Sequence, residues 1–170
     1  MLDLLRQRRS IRRFSATPVE PEKLDSLCEA LLRAPTSRNL QPCSFILVED
    51  RQILAQLATA KPHGTAFFAT APVAVLIVAD PSVSDVWIED AAVAATIAQL
   101  AAEDIGLKSC WAQLRLRLHG DSSSASEYVR QLVGLPEGQE VPVAIAIGYA
   151  DEEKAGHPFS SLRHEKIRRL

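Results

Sequence analysis

The fold is decided by RRSIRRF at residues 8–14 and by PTSRNLQP at residues 35–42. The first stretch places Arg8, Arg9, Ser10 and Arg12 close together. Guanidinium groups bind a phosphate through paired hydrogen bonds, to which a serine hydroxyl adds another. The stretch therefore predicts a phosphate site. The alternative is a solvated basic face that closes a short N-terminal helix, because like charges repel where no anion is present.

The second stretch is stiffened by two prolines and carries hydroxyl and amide side chains at Thr36, Ser37, Asn39 and Gln41. These groups both donate and accept hydrogen bonds, as is required to hold a ring edge that alternates carbonyl oxygens with an N–H. A simple polar turn that begins with a capping serine is the alternative.

The hydrophobic pattern around these stretches predicts alternating helices and strands. Helices are expected over residues 21–34, up to residue 57, and over 86–105 and 122–133, and strands over 44–48, 72–79, 108–116 and 141–149. Several connections are too short or irregular for repeated right-handed crossovers, so we expect an α+β fold. Residues 1–170 are expected to form one domain, because the chain contains neither a repeat nor a linker.

The helix predicted over residues 86–105 is rich in alanine. Small side chains allow a neighbouring helix to approach closely, so this helix is expected either at the centre of the domain or at a subunit interface.

In this order, the two stretches resemble the nitroreductase family of FMN-dependent oxidoreductases. The resemblance continues through DIGL at residues 104–107, SCW at 109–111, LPE at 135–137 and AIGY at 146–149. It implies a mostly antiparallel central sheet flanked by helices, and a homodimer with two flavin sites across its interface.

The resemblance also implies the residues that bind FMN. Arg8, Arg9, Ser10 and Arg12 correspond to phosphate and ribityl ligands, with Arg163 as a further phosphate partner. Pro35, Thr36, Ser37, Asn39 and Gln41 belong to the stretch that the second subunit places against the flavin. Gln113 and Leu114 correspond to positions whose backbone N–H groups approach the flavin N5 and O4.

The chemistry implied is transfer of hydride from NADH or NADPH to a nitroaromatic, quinone or similar acceptor, in ping-pong order. Flavin N5 carries the hydride, so no side chain is expected to be catalytic. A flavin-fragmenting enzyme of the same superfamily and a flavin-storage protein remain alternatives. A nucleic-acid binder is disfavoured by the formal net charge of −2.

Other features narrow the class of protein. We expect a cytoplasmic protein without a signal peptide or membrane span. Three scattered cysteines and four scattered histidines favour reduced thiols and no metal site. Cys43 stands where relatives commonly have tryptophan, which removes a large aromatic surface. Arg115 and Arg117 are interpreted as a solvated strand face, with an acidic acceptor or the donor's phosphates as the alternative ligands.

Overall fold

A four-stranded sheet forms the centre of the molecule in the computed structural model, which describes residues 1–121 and 123–170. Its strands are β1 (Cys43–Val48), β2 (Val73–Ala79), β3 (Lys108–Gln113) and β6 (Glu140–Gly148), in the spatial order β1-β2-β6-β3. Every neighbouring pair is antiparallel. The predicted α+β fold with a mostly antiparallel sheet is thereby confirmed.

The two middle strands explain why the sheet is covered on both faces. All seven residues of β2 are buried, and β6 is buried from Val141 to Gly148. Continuous apolar runs of this kind belong to strands with a core on each side. The sheet therefore separates two hydrophobic cores.

One face of the sheet is covered by α2 (Pro21–Leu32) and α4 (Trp87–Asp104). Pro21 occupies the first turn of α2, where its missing N–H costs no hydrogen bond. The buried side of α4 consists largely of alanine, which brings its backbone close to α2 and the sheet. The alanine-rich helix is thus at the centre of the domain.

The opposite face is covered by α3 (Arg51–Leu57) and α5 (Ala125–Leu132). Asp50 caps α3 by accepting hydrogen bonds from the N–H groups of Gln52 and Ile53. The helix expected over residues 122–133 begins only at Ala125, capped by the Ser124 hydroxyl. Ser122 lies outside the described residues. A short hairpin of β4 (Leu118–His119) and β5 (Ser123–Ser124) precedes this helix.

The prediction that β3 extends to residue 116 is wrong. The N–H groups of Leu114 and Arg115 both donate to the Pro142 carbonyl, at 2.9 and 3.1 Å. Because proline has no N–H, Pro142 cannot donate a hydrogen bond back to β3. The backbone then turns away from the sheet at Leu116, which has a φ of 58°. The regular ladder therefore ends at Gln113, and Arg115 and Arg117 lie in the following loop instead of on a strand face.

The chain begins with the short helix α1 (Leu2–Gln7) and ends in an exposed tail with two 3-10 turns. Within the described ranges, none of the helices has both the length and the apolar character needed to cross a membrane.

Candidate functional site

The basic stretch at residues 8–12 runs alongside the edge of β3 after α1 has ended. The Ile11 N–H donates to the Ser109 carbonyl at 3.1 Å, and Ile11 itself is buried. Burial of this side chain fixes the stretch against the sheet and leaves Arg12 exposed. The arginines are thus held at a defined place next to β3.

Two residues that follow β6 complete this part of the molecule. The Glu152 carboxylate accepts hydrogen bonds from the backbone N–H groups of Arg12 and Arg13. The Lys154 ammonium donates to the Glu152 carboxylate at 2.8 Å and to the Ser10 carbonyl at 3.1 Å. These bonds lower the pKa of Glu152, the backbone bond from Arg12 having the largest effect. The Glu152 carboxylate therefore holds the backbone of the basic stretch in place.

A cavity of about 490 Å³ opens between the basic stretch and residues 152–155. Arg9 lines it and donates to the Ala155 carbonyl. The guanidinium groups of Arg8 and Arg12 make no hydrogen bond to any side chain or backbone group that the structure describes. They are free to bind an external anion.

The charges of this region converge on Cys110 of β3. Burial raises the pKa of this thiol, and the positive charges of Arg12, Lys154 and Arg8 oppose that rise while Glu152 adds to it. Lys154 is paired with Glu152, whereas Arg8 and Arg12 form no ion pair within the described residues. A phosphate monoester carries nearly two negative charges at neutral pH. The donor set therefore fits the phosphate of FMN.

The polar stretch forms a strained turn between α2 and β1. Arg38, Asn39 and Gln41 adopt left-handed φ values of 53°, 55° and 50°. Left-handed backbone is unfavourable for residues other than glycine and often marks a functional loop, although asparagine tolerates it well. The Gln41 N–H donates to the Thr36 hydroxyl at 3.0 Å, which closes the turn on itself.

A buried carboxylate anchors the turn to α4. Asp90 is only 5% exposed and accepts a hydrogen bond from the Ser37 N–H at 2.9 Å. The Ser84 hydroxyl donates to its other oxygen at 3.4 Å. Sequence reasoning missed Asp90 because its partner Ser37 lies 53 residues away along the chain.

The two stretches lie beside different parts of α4. Ser37 meets the helix at Asp90, whereas the Gln99 amide donates to the Ser109 hydroxyl beside the basic stretch. Nine residues of helix correspond to roughly 14 Å. The cavities beside the two stretches share no lining residue. One copy of the chain thus does not bring both stretches into one pocket.

The free edge of β3 presents backbone donors. Hydrogen bonding alternates along an antiparallel strand, and the Leu114 N–H points towards β6, where it donates to Pro142. The Gln113 N–H consequently points to the uncovered edge. Of the two backbone donors that the family resemblance assigns to the flavin, only that of Gln113 is available in this chain.

The remaining predicted ligand, Arg163, lies in the exposed tail, and no hydrogen bond or ion pair within the described residues connects it to the basic stretch. Lys154 and Glu152 occupy the place next to Ser10 and Arg12 instead. The sequence signals them only through the charged run DEEK at residues 151–154, which follows β6.

Cys43 is a half-buried thiol at the start of β1. Burial, followed by the nearby negative charge of Asp90, raises its pKa to about 11. A thiol with such a pKa stays protonated at neutral pH, and the thiolate is the reactive form. The raised pKa therefore favours a packed, unreactive thiol at Cys43 over a redox-active one.

Known proteins are similar to this chain over most of its length. The model of the Nitroreductase family matches residues 5–149. A relative from Archaeoglobus fulgidus named as an NADH dehydrogenase/NAD(P)H nitroreductase is 31% identical, with 90% of this chain and 87% of that protein aligned. An NADH dehydrogenase of Thermus thermophilus is 30% identical over 95% of this chain and 91% of its own length.

The structural agreement is equally extensive. The FMN-dependent nitroreductase of Clostridium difficile R20291 is 41% identical and superposes with a TM-score of 0.97 over 99% of this chain and 98% of that one. The similarity thus includes the residues of the basic stretch, the polar turn and the edge of β3.

Proposed function

The chain belongs to the nitroreductase family, and from this premise we propose that it is an FMN-dependent oxidoreductase. It would transfer hydride from NADH or NADPH to a nitroaromatic, quinone or similar small electrophile. The names of its relatives support both cofactors, because they include an FMN-dependent nitroreductase and an NAD(P)H nitroreductase.

The basic stretch carries this proposal, because the bonds of Ile11 to Ser109 and of Lys154 to the Ser10 carbonyl hold it against β3 while Arg8 and Arg12 stay unpaired among the described residues. Arg8 and Arg12 have no internal hydrogen-bond acceptor among the described residues, and the cavity of about 490 Å³ opens on the same stretch at Arg9 and Ile11. A cluster of like charges is unfavourable unless an anion joins it. The FMN phosphate meets that requirement.

When bound, FMN supplies a ring nitrogen, N5, that accepts and returns hydride. The chain's own groups bind and orient the cofactor. Arg8, Arg9, Ser10 and Arg12 would hold its phosphate and ribityl chain with Lys154, and the Gln113 N–H would face its ring. The turn at residues 36–41 would be supplied by the partner subunit.

We further propose a ping-pong order, in which the oxidised nicotinamide leaves before the acceptor enters the same space. The protein would work as a cytoplasmic homodimer, with residues 1–170 of each copy forming one domain. Three free cysteines support a reducing compartment. The separation of the two stretches along α4 supports a site shared between subunits.

The experiment compares Arg12→Ala with Arg13→Ala in purified, FMN-loaded protein. Arg13 is a matched control because it is adjacent and exposed, but its guanidinium pairs with Asp151 at 3.2 Å. We expect Arg12→Ala to weaken FMN binding about tenfold or more, since a charge-assisted phosphate contact is lost. Arg13→Ala should retain FMN like the unmodified chain. Equal flavin loss in both variants would show that the phosphate lies elsewhere.

Turnover is tested separately by mixing the loaded protein with NADH or NADPH under anaerobic conditions. We expect the yellow colour to bleach and to return on addition of a quinone. Retained colour would indicate flavin storage instead of an oxidoreductase. Chemical analysis of the flavin after exposure to oxygen must recover intact FMN, because breakdown products would indicate a flavin-fragmenting enzyme.

A further inference from the structure

A second cavity, here called the loop cavity, lies where the chain leaves β3. Its volume is about 470 Å³, and its lining includes Trp87, Arg115, Leu116, Arg117, Ser126 and Glu140. It shares no residue with the cavity of the basic stretch. It begins two residues beyond Gln113, whose N–H faces the edge assigned above to the flavin ring.

Arg115 is held in place by its neighbours. The Trp111 indole N–H donates to the Gln113 side-chain oxygen at 3.1 Å, and the Gln113 amide nitrogen donates to the Arg115 carbonyl at 3.4 Å. The Arg115 guanidinium carbon lies over the Trp87 ring, 5.8 Å from its centroid. An aromatic face orients a guanidinium while its N–H donors remain available to a ligand.

The electrostatic balance of the loop cavity is positive. Within the described part of the chain, neither Arg115 nor Arg117 forms an ion pair. Burial and the charge of Arg117 lower the pKa of Lys61, which does not itself line the cavity. Glu140 is the opposing charge, and the Ser126 hydroxyl already donates to its carboxylate. The two arginines that line the cavity thus outnumber its one carboxylate.

The backbone between the two arginines is strained. Leu116 has a φ of 58°, an uncommon conformation for a bulky residue, and is 76% exposed. A strained conformation persists only when the surrounding contacts enforce it, and such residues cluster at ligand sites. Here the shared hydrogen bonds to Pro142 fix the turn and direct Arg115 and Arg117 towards the cavity.

We propose that the loop cavity binds an anionic group, a carboxylate or phosphate, on one of the two substrates, and that Arg115 determines specificity for it. This inference rests on the proposed oxidoreductase function. The anion can belong to the electron acceptor or to the nicotinamide donor, and both present the same chemistry to a guanidinium. Under this proposal Arg115 binds an anion in the loop cavity and is not part of a solvated strand face.

Steady-state kinetics with FMN-loaded protein form the first test. The acceptors are 4-nitrobenzoate and 4-nitrobenzamide, which differ in charge but hardly in shape. We expect Arg115→Gln to raise KM for the benzoate about tenfold while kcat changes little, because one charge-assisted contact is lost. The KM for the benzamide should stay constant. Arg115→Lys keeps the charge and should show a smaller change.

Arg51→Gln is the matched control, because Arg51 does not line the loop cavity and its guanidinium, among the described residues, donates to the Ala71 carbonyl. It should leave both acceptors unaffected. Michaelis constants for NADH and NADPH, measured in the same variants, distinguish the source of the anion. A selective rise for a donor assigns the site to the donor's phosphates and supports the proposal equally.

Calorimetric titration of the FMN-loaded protein with benzoate, benzamide and NADP⁺ tests binding without turnover. We expect Arg115→Gln to weaken benzoate or NADP⁺ about tenfold and to leave benzamide unchanged. Unchanged affinity for both anions, or equal weakening of benzoate and benzamide, would overturn the anion site. A further outcome is that the unmodified protein oxidises neither NADH nor NADPH while Arg115→Gln still weakens anion binding. In that case the proposed function fails and the anion site stands.

Discussion

Glu152 is the residue that ties the basic stretch to the chain beyond β6. Its carboxylate accepts from two consecutive backbone N–H groups, those of Arg12 and Arg13, and also pairs with Lys154. Its side chain is 19% exposed, so these bonds are partly shielded from water. The carboxylate orders the stretch without using the guanidinium groups of Arg8 and Arg12.

Glu152→Gln is expected to lower the melting temperature by about 3 °C near pH 7, corresponding to about 1 kcal/mol of lost hydrogen bonding. The pKa of Glu152 is lowered in the folded chain, so its stabilisation is complete above the ordinary value of 4.5. The stabilisation is lost as the pH falls through the lower, folded-state pKa. Thermal melts from pH 7 to pH 3 should therefore show the two curves converging in acid.

Glu153→Gln provides the control for that difference. Glu153 is exposed and lines the same cavity, and the structure shows no hydrogen bond to its carboxylate from the described residues. The melting temperature of Glu153→Gln should equal that of the unmodified chain at every pH. A difference for Glu152→Gln that persists unchanged at pH 3 would contradict the role of the carboxylate.

The residues that could be predicted were those whose chemistry is concentrated in one stretch. Arg8, which is half-buried, and Arg12, which is exposed, are four positions apart in one stretch, and their role as phosphate ligands stays a prediction. Lys154 and Glu152 join them only because β3 and β6 pair side by side. Contacts across 140 or more positions leave no local pattern in the sequence.

Among the elements, the polar turn at residues 36–41 depends on α4 for its position. Asp90→Ala would leave the half-buried Ser37 N–H without its acceptor, and we expect a loss of about 1–3 kcal/mol in the free energy of unfolding. Asp90→Asn keeps an acceptor oxygen and should lose less. Urea denaturation of the FMN-free protein measures both variants.

Asp85→Ala is the comparison variant for the turn. Asp85 precedes α4 and is exposed, and its bond with Arg38 lies on the surface. Surface ion pairs contribute about 0–1 kcal/mol, so this change should have little effect. Equal destabilisation by Asp85→Ala and Asp90→Ala would show that the buried carboxylate is not the anchor.

The C-terminal tail is attached to α1 at Gly156. A Cβ atom built at this position would lie 1.9 Å from the Arg6 carbonyl oxygen. Neither backbone can yield cheaply, so Gly156→Ala should displace the tail and, through it, Lys154. We expect severalfold faster trypsin cleavage within the tail and weaker FMN retention. Ala155→Ser, at an exposed neighbouring position, should leave both properties unchanged.

Element boundaries were predictable where the residues themselves terminate the structure. Pro21 marked the start of α2, and Gly106 follows the last turn of α4 with a φ of 79°. The end of β3 was not predictable, because it depends on Pro142 in another strand, which has no N–H to continue the ladder. The loop cavity exists because of that early end.

At the scale of the whole molecule, the sheet and α4 keep the basic stretch and the polar turn apart. The basic stretch lies at the β3 edge, whereas the turn leads into β1 at the opposite edge of the sheet. A flavin that touches both must therefore take them from two copies of the chain. Exposed apolar side chains such as Leu32 and Val93, on α2 and α4, support a partner on this face.

Mixed dimers test that arrangement directly. Arg12→Ala removes a phosphate ligand, and Asn39→Ala removes a side chain of the turn, so each variant alone should retain little FMN. In a mixed dimer with shared sites, one site receives both defects and the other receives neither. Co-refolding equal amounts makes half of the dimers mixed, so about a quarter of all sites should recover full FMN affinity. Recovery of no sites, measured as protein-bound flavin absorbance after gel filtration, would mean that each site is built within one chain.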